Sequence, residues 1–381
     1  MGGTLAKNDS YNLQFLESSG NVRQVIADAL GREPNAEIAK GIATCIQQGR
    51  MFFESASNAE MEIRPLLLYY GMMAFAKSVI SGRGLRSLTT LNQGHGLHDV
   101  SSPTSRLTEL VVKIGNGGTF QEFNDVIREY EGLDYFEESM SRRLKLQTTA
   151  SAHLINNQFS LKEILARIPG LENLFQATFK EEAGVLRFTH FIPGRLDEEV
   201  ILRIDVPDLF EDRESLKKII EEVRGKYPTL KRWRFSSAEK AWDNSVIIFH
   251  NVAPEENELA SENFMEENGG RRLVLKAKPD QQYVDFRQLL DSVIGGLTQS
   301  YPSLSKPING AHLSDVSLQY AGMFLLSSLV RYRPQIWVHS VSRFASQERP
   351  ADDQSLALIE SFMDTVQSTY PKLVTRLLTE P

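Results

Sequence analysis

Two stretches of this chain are apolar on nearly every side. Ile63 to Ile80 carries Leu66, Leu67, Leu68, Met72, Phe75 and Val79, with Pro65 near its start, where a first helical turn needs no amide donor. Ser81-Gly82-Arg83-Gly84 is expected to stop it. His312 to Arg331 repeats the pattern with Val316, Leu318, Tyr320, Met323, Phe324, Leu326 and Leu329. A helix that is apolar all round is one enclosed by others, and Arg64 and Lys77 inside the first mark a domain core, not a bilayer span. Ahead of it, Asn35 to Ser57 sets Ile38, Ile42, Cys45 and Ile46 at mostly helical spacing, with Asn35 as N-cap and Glu37 in the first turn. Ser355 to Thr369 and a short helix from Pro371 are expected to close the chain.

The middle changes period. Leu107 to Ile114 alternates like a strand, passes through Gly115-Asn116-Gly117-Gly118, and meets a Thr119-x-x-Glu122 capping box. Leu144 to Thr149, Gly184 to Phe191, Glu199 to Val206, Ser245 to Asn251 and Arg272 to Ala277 also read as strands. Glu214 to Arg224 reads as an amphipathic helix, and Ser160 to Glu163 opens a short one that Pro169-Gly170 ends. Pro254 to Gly270, with six Glu and neither Lys nor Arg, predicts a solvated, mobile loop. The expected fold class is α+β: a mainly helical bundle formed by the N- and C-terminal helices, with a mixed strand-and-helix region inserted. Residues 1–100 form the first helical half, 101–306 the insert, and 307–381 the helices that complete the bundle.

Composition narrows the function classes. With 41% hydrophobic and 24% charged residues among 381, the chain is not disordered throughout, and one cysteine rules out an intrachain disulfide or a cysteine-type zinc site. The net charge of -7 removes a global electrostatic case for nucleic-acid binding and leaves local basic surfaces open. The start lacks the basic-then-apolar order of a secretory signal, so a reducing cytoplasm is the expected location, with no membrane partner.

Three constellations carry candidate chemistry. Arg64, Tyr69, Tyr70 and Lys77 share the first buried helix, near Gly94-His95-Gly96-Leu97-His98, and a charge there needs a polar or acidic partner. His95 and His98, three apart, lack a nearby third ligand, so neither a metal nor a cofactor is expected. Arg331-Tyr332-Arg333-Pro334 with Trp337 and His339 ends the second buried helix, which Pro334 should break. It reads either as a cationic helix cap or as an anion or RNA-backbone site, with Trp337 or Tyr332 as the stacking surface; Arg343 and Arg349 extend the basic stretch. The Gly115 to Gly118 turn reads as a plain connection, with a phosphate cradle as the alternative. Hydrolase, zinc-protease and kinase motifs are missing.

Arg64-Pro65-Leu66-Leu67-Leu68-Tyr69-Tyr70-Gly71-Met72, Ala76-Lys77 and His95-Gly96-Leu97 resemble the bacterial YaaC-like family. Gly118 to Asn124, Ser160 to Leu165 with Ile168-Pro169, and Leu329 to Pro334 with Trp337 continue the resemblance in order, over about residues 35 to 378. The Tyr69 to Lys77 segment and the His-Gly-Leu also resemble HEPN domains, helical bundles common in bacterial toxin-antitoxin and phage-defence proteins. That second resemblance implies a binding or scaffolding protein that engages RNA, a nucleotide or a protein partner, while the acidic Glu255 to Glu267 segment makes an assembly module, self-association included, a third reading. The alternative under the second resemblance is a metal-independent endoribonuclease with Arg333 and His339 as the catalytic pair, His339 acting on the ribose hydroxyl and Arg333 on the phosphorane charge. Pro334 departs from the nuclease pattern, which prefers a polar residue on a continuing helix. The residues expected to bind are Arg64, Tyr70, Lys77, His95, His98, Arg331 and Trp337.

Overall fold

A computed structural model describes residues 13–103, 105–137, 140–192, 199–242, 244–276, 282–289, 293–294, 303–341 and 350–380. It begins with α1 (Ser19–Leu30), α2 (Ala36–Ser57) and α3 (Arg64–Gly84). Asn35 starts α2 because its Oδ1 accepts from the Ile38 amide at 2.9 Å, and Ile38, Ile42, Ile46 and Phe53 then form its buried stripe. α3 is buried on nearly every side, as its composition requires, and its last residue is Gly84, within the Ser81-Gly82-Arg83-Gly84 stretch expected to stop it. Its end comes at Leu85, which is left-handed at φ 47° and returns its amide to the Ser81 carbonyl.

The strands β1 (Leu97–Asp99) and β2 (Val111–Ile114) follow, then α4 (Thr119–Tyr130), the hairpin β3 (Gly132–Glu137) and β4 (Met140–Lys145), α5 (Ser151–Leu154), β5 (Gln158–Ser160), α6 (Leu161–Leu165) and α7 (Glu172–Phe179). The expected strand from Leu107 is shorter than its alternation implied. Residues Leu107–Glu109 form a 3₁₀ turn, closed when the Glu109 carboxylate accepts from the Arg106 amide at 2.9 Å. Next come β6 (Val185–Ile192), β7 (Ile201–Val206), α8 (Arg213–Lys226), β8 (Arg234–Lys240), β9 (Ser245–His250), β10 (Phe264–Glu267), β11 (Arg272–Leu275), β12 (Val293–Ile294) and β13 (Ser303–Ser305). The chain ends with α9 (Asp315–Tyr332), α10 (Pro334–Val341) and α11 (Pro350–Thr379). α11 is one helix, not two: Pro371 sits inside it, and the burial of Tyr370, Leu373, Val374 and Leu377 outweighs the one lost backbone hydrogen bond.

The fold is α+β and divides into two compact units, one built from Met1–Tyr130, Thr149–Ala183 and Leu313–Pro381, the other from Glu131–Thr148 and Gly184–His312. The helical unit therefore also takes in β1, β2, α4 and β5. In it α3 packs against α2, α4, α9 and α11. Tyr370 of α11 donates to the Val316 carbonyl of α9 at 2.8 Å, and Gln367 donates to the Phe53 carbonyl of α2 at 3.2 Å. A small antiparallel sheet of order β1-β2-β5 lies in the same unit.

The second unit holds an eight-stranded sheet, β10-β11-β8-β9-β7-β6-β13-β12, antiparallel at every step. Leu202, Ile204 and Val206 alternate into its core, where Leu216, Ile219, Ile220 and Val223 of α8 join them. The Glu-rich segment from Pro254 is not a mobile loop throughout: Leu259 and Phe264 are buried, and β10 pairs with β11 as the sheet edge. Its charges suit that edge, since they discourage pairing with another chain.

The α2–α3 contact depends on small residues. A Cβ at Gly71 would run into the Phe53 ring, and one at Gly49 into Phe75. Gly71→Ala should destabilise the protein by about 1–3 kcal/mol through overpacking, although alanine favours a helix by about 1 kcal/mol over glycine. Urea unfolding tests this; a variant as stable as the parent would show that Phe53 gives way.

Candidate functional site

Phe324, Ser328, Arg331 and Tyr332 recur at helical spacing on α9 and so share one of its faces. That face and the segment from His95 to Pro103 line a cleft of about 590 Å³, within the range of small-ligand sites. Leu97, Pro103 and Phe324 supply its apolar surface. His95, His98, Asp99, Arg331 and Arg333 supply its polar groups.

The wall that carries His95 is held by backbone. The Thr119 amide donates to the Gly94 carbonyl at 2.8 Å, Phe120 to His95 at 3.1 Å, and Gly115 to Gly96 at 2.9 Å. Gln121 adds two bonds from Nε2, to the carbonyls of Gly96 at 2.8 Å and Gly115 at 2.9 Å. So close an approach requires glycine: Gly96 has φ 77°, and a Cβ on Gly118 would overlap the Gly96 backbone. Because the first amides of α4 are engaged this way, they are not available to cradle a phosphate. Nor does the expected capping box form. Thr119 Oγ1 donates to the Gly94 carbonyl at 3.2 Å, while Glu122 accepts from the Asn92 amide at 3.2 Å and from Arg86 at 3.0 Å.

His95 meets a buried phenol, with Nδ1 3.0 Å from the Tyr69 hydroxyl. Tyr69 is fully buried, its ring centroid 5.6 Å from that of Tyr320 and 5.8 Å from that of Phe324. Burial pushes the Tyr69 phenol well above its usual range, so it keeps its proton. In the tautomer in which Tyr69 donates to Nδ1, a neutral His95 carries its proton on Nε2 and is a donor there. The imidazole pKa is lowered, first by burial and then by the charges of Arg331 and Lys77, which favours the neutral ring.

The two arginines differ. The Arg331 guanidinium carbon lies 5.0 Å from the Tyr332 ring centroid, 5.8 Å from that of Tyr69 and 6.0 Å from that of Tyr70, a cation held by aromatic faces. It donates to the Ser327 carbonyl at 3.3 Å and, among the described residues, has no carboxylate partner. Arg333 caps α9, bonds Asp99 Oδ2, and donates to the Ser102 carbonyl at 3.3 Å. Asp99 Oδ2 also accepts from Ser328 Oγ at 2.9 Å, and Oδ1 accepts from the Ser101 amide at 3.0 Å and from its hydroxyl. Burial pushes the Asp99 carboxyl upward, but the hydrogen bonds of Ser101 and Ser328 and the Arg333 charge outweigh it and hold the group below its usual value.

Of the residues expected to bind, His95, His98 and Arg331 line the cleft, as does Arg333 of the expected catalytic pair. Tyr70 stands behind Arg331 with its ring against Phe52. Arg64 is engaged elsewhere: it bonds Asp364 at 2.6 Å and Gln367 at 2.8 Å, tying α3 to α11. Lys77 is half-buried and its charge reaches His95, but it is not in the cleft lining. Trp337 is not a stacking surface. It is 1% exposed, and its indole donates to the Glu62 carbonyl at 2.9 Å, whereas Tyr332 is 71% exposed on the cleft lining. His339 lies on α10, but its side chain falls outside the described residues, as do Arg343 and Arg349.

Asp99, Ser101 and Ser328 were not among the expected site residues; the only sequence signal was Ser328 at helical spacing from Arg331 and Tyr332 in an apolar run. Burial raises the Cys45 thiol to about 11, which leaves it a poor nucleophile. Among the described residues no three His, Cys, Asp or Glu gather as a metal site would need, and no helix is long and apolar enough to cross a membrane.

Part of each cleft wall, His95 and Leu97 on one and Arg331 to Arg333 on the other, falls within segments that carried the family resemblance, and the family profile described as YaaC-like Protein matches residues 5–378. The chain belongs to the YaaC-like family. Comparison with curated proteins and with solved structures returns no match. The YaaC-like match spans all the cleft residues named above.

A lowered His95 pKa links this wall to stability. Below the unfolded imidazole value of about 6.5 the unfolded chain takes up the proton first, so this contribution to stability is present above that pH and falls away as the pH drops below it. Thermal melts at about pH 7.5 and 5.5 should lose less in His95→Gln than in the parent. Equal losses would show that His95 titrates as in the unfolded chain.

Proposed function

We propose that this YaaC-like protein is a cytoplasmic, non-enzymatic, HEPN-like binding protein whose cleft takes a phosphate-bearing ligand, RNA or a nucleotide. The observation that carries this reading is Arg331: a guanidinium oriented by three tyrosine rings and a serine carbonyl, without a carboxylate among the described residues, on the lining of a cleft. A planar cation in that state is suited to an anionic oxygen. Nε2–H of neutral His95 supplies a second donor, and exposed Tyr332 gives a base a face to stack on. The HEPN-like part of the reading is supported by the packing of α3 with helices from both ends of the chain. A role in stress or phage defence follows from that likeness alone.

The nuclease alternative asks Arg333 to stabilise a phosphorane, yet its guanidinium is engaged by Asp99 and the Ser102 carbonyl. Pro334 also begins a new helix between Arg333 and His339. Binding therefore ranks above cleavage.

Fluorescence anisotropy with a labelled short single-stranded RNA tests the reading. Arg331→Gln should weaken binding about tenfold or more, as expected when one charge-assisted hydrogen bond is lost, and lower the salt slope by about one. An unchanged affinity and slope would remove Arg331 from the interface. Shortening of the RNA in EDTA, abolished by His339→Ala, would favour the nuclease instead.

A further inference from the structure

The next step rests on the phosphate-binding reading and concerns which phosphate the cleft takes. Two guanidinium groups line it, yet only Arg331 is free of a carboxylate among the described residues. Asp99 engages Arg333 from within the same lining, and the pair is half-buried, each side chain about 15% exposed. Asp99 accepts from Ser101 through its amide and hydroxyl, from Ser328, and from Arg333. Asp99 is thus a built-in anion, standing where a second ligand oxygen would otherwise meet Arg333.

We propose that Asp99 sets the charge of the ligand: by engaging Arg333 it leaves one cation without a carboxylate among the described residues of the cleft lining, so the cleft prefers a phosphodiester to a phosphate monoester. A diester carries one negative charge. A monoester carries about 1.5 to 2 near neutral pH, because its second pKa is about 6. Among the described residues of the cleft lining the extra charge of the monoester meets no second cation without a carboxylate, and it faces the Asp99 carboxylate across a partly desolvated cleft, where like charges repel more strongly than in water. The diester needs only Arg331 and the Nε2–H of His95. Asp99 does not itself touch the ligand; it is a specificity-determining residue acting through Arg333. A linkage inside an RNA chain fits this description, and a terminal phosphate does not.

Two probes that share a base separate the cases: adenosine 5′-monophosphate and its methyl ester, measured by titration calorimetry on the full chain near pH 7.5. The parent protein should bind the methyl ester more tightly. Asp99→Asn, which keeps the shape of the side chain and frees Arg333, should shift the ratio about tenfold toward the monophosphate. The double variant Asp99→Asn with Arg333→Gln should return to the parent preference, a reversal that a purely structural ion pair does not produce. A parent that prefers the monophosphate, a ratio unmoved in Asp99→Asn, or a shift that persists without Arg333 would each overturn the proposal.

Should Asp99→Asn fail to fold, Arg333→Gln alone decides. It leaves Asp99 uncompensated and should widen the preference for the methyl ester, and an unchanged ratio would overturn the proposal. If the parent binds neither probe nor the RNA, the phosphate-binding reading itself fails. If it binds them with the wrong ratio, only the role of Asp99 does.

Discussion

Tyr69 lies at the meeting of the two helices that could not face water. α3 and α9 are each apolar around their circumference, and the constraint that both be enclosed brings Tyr69 against Tyr320 and Phe324. Burying a phenol leaves a hydroxyl to satisfy, and His95 Nδ1 satisfies it. The Arg331 guanidinium carbon lies 5.8 Å from the centroid of the same ring. One hydrophobic contact between distant parts of the chain therefore places His95 and Arg331 on the cleft lining together. The apolar core and the polar site are two faces of the same packing event.

The charged residues follow a consistent rule. Arg64 and Arg333, both largely withdrawn from water, each meet a carboxylate, Asp364 and Asp99, because a half-buried charge left alone is costly. Arg331 escapes that requirement by lying over aromatic faces, which attract a cation without neutralising it. Its charge remains available, and its effect is felt at His95, whose protonation it opposes. The cationic cluster at the end of α9 thus divides the labour its sequence left undivided: Arg333 answers the helix end and ties it to β1, and Arg331 faces the cleft.

Much of the helical framework was legible because it rests on local rules. Asn35 caps α2 as its position foretold, Pro334 ends α9, and the two all-apolar runs are the two central helices. What was not legible depends on partners far along the chain. Nothing local to Asp99 announces Arg333, and nothing local to Trp337 announces the Glu62 carbonyl that draws its indole inward. Pro371 was read as a helix start because its neighbours were read alone, whereas burial of its neighbours carries α11 through it. The Glu-rich segment misled in the same way: its charges are real, but Phe264 and Leu259 between them are anchored in the core of the second unit.

The two glycine-rich stretches illustrate the point most sharply, because each looks like a flexible loop alone and together they form a rigid wall. Gly94 to Gly96 and Gly115 to Gly118 approach closely enough that the amides of one meet the carbonyls of the other, and Gln121 links them with two further bonds. A glycine in a turn normally signals freedom, but here the missing Cβ permits a contact that removes it. His95 rides on that wall and is already oriented by Tyr69, so a ligand meeting its Nε2 does not have to order the loop first. Pre-organisation of this kind raises affinity by lowering the entropy lost on binding, not by adding contacts. Where the described residues of the cleft leave one cation without a carboxylate, the proposed singly charged ligand gains most from a second donor set in place beforehand, and the glycine clasp places His95 in that way.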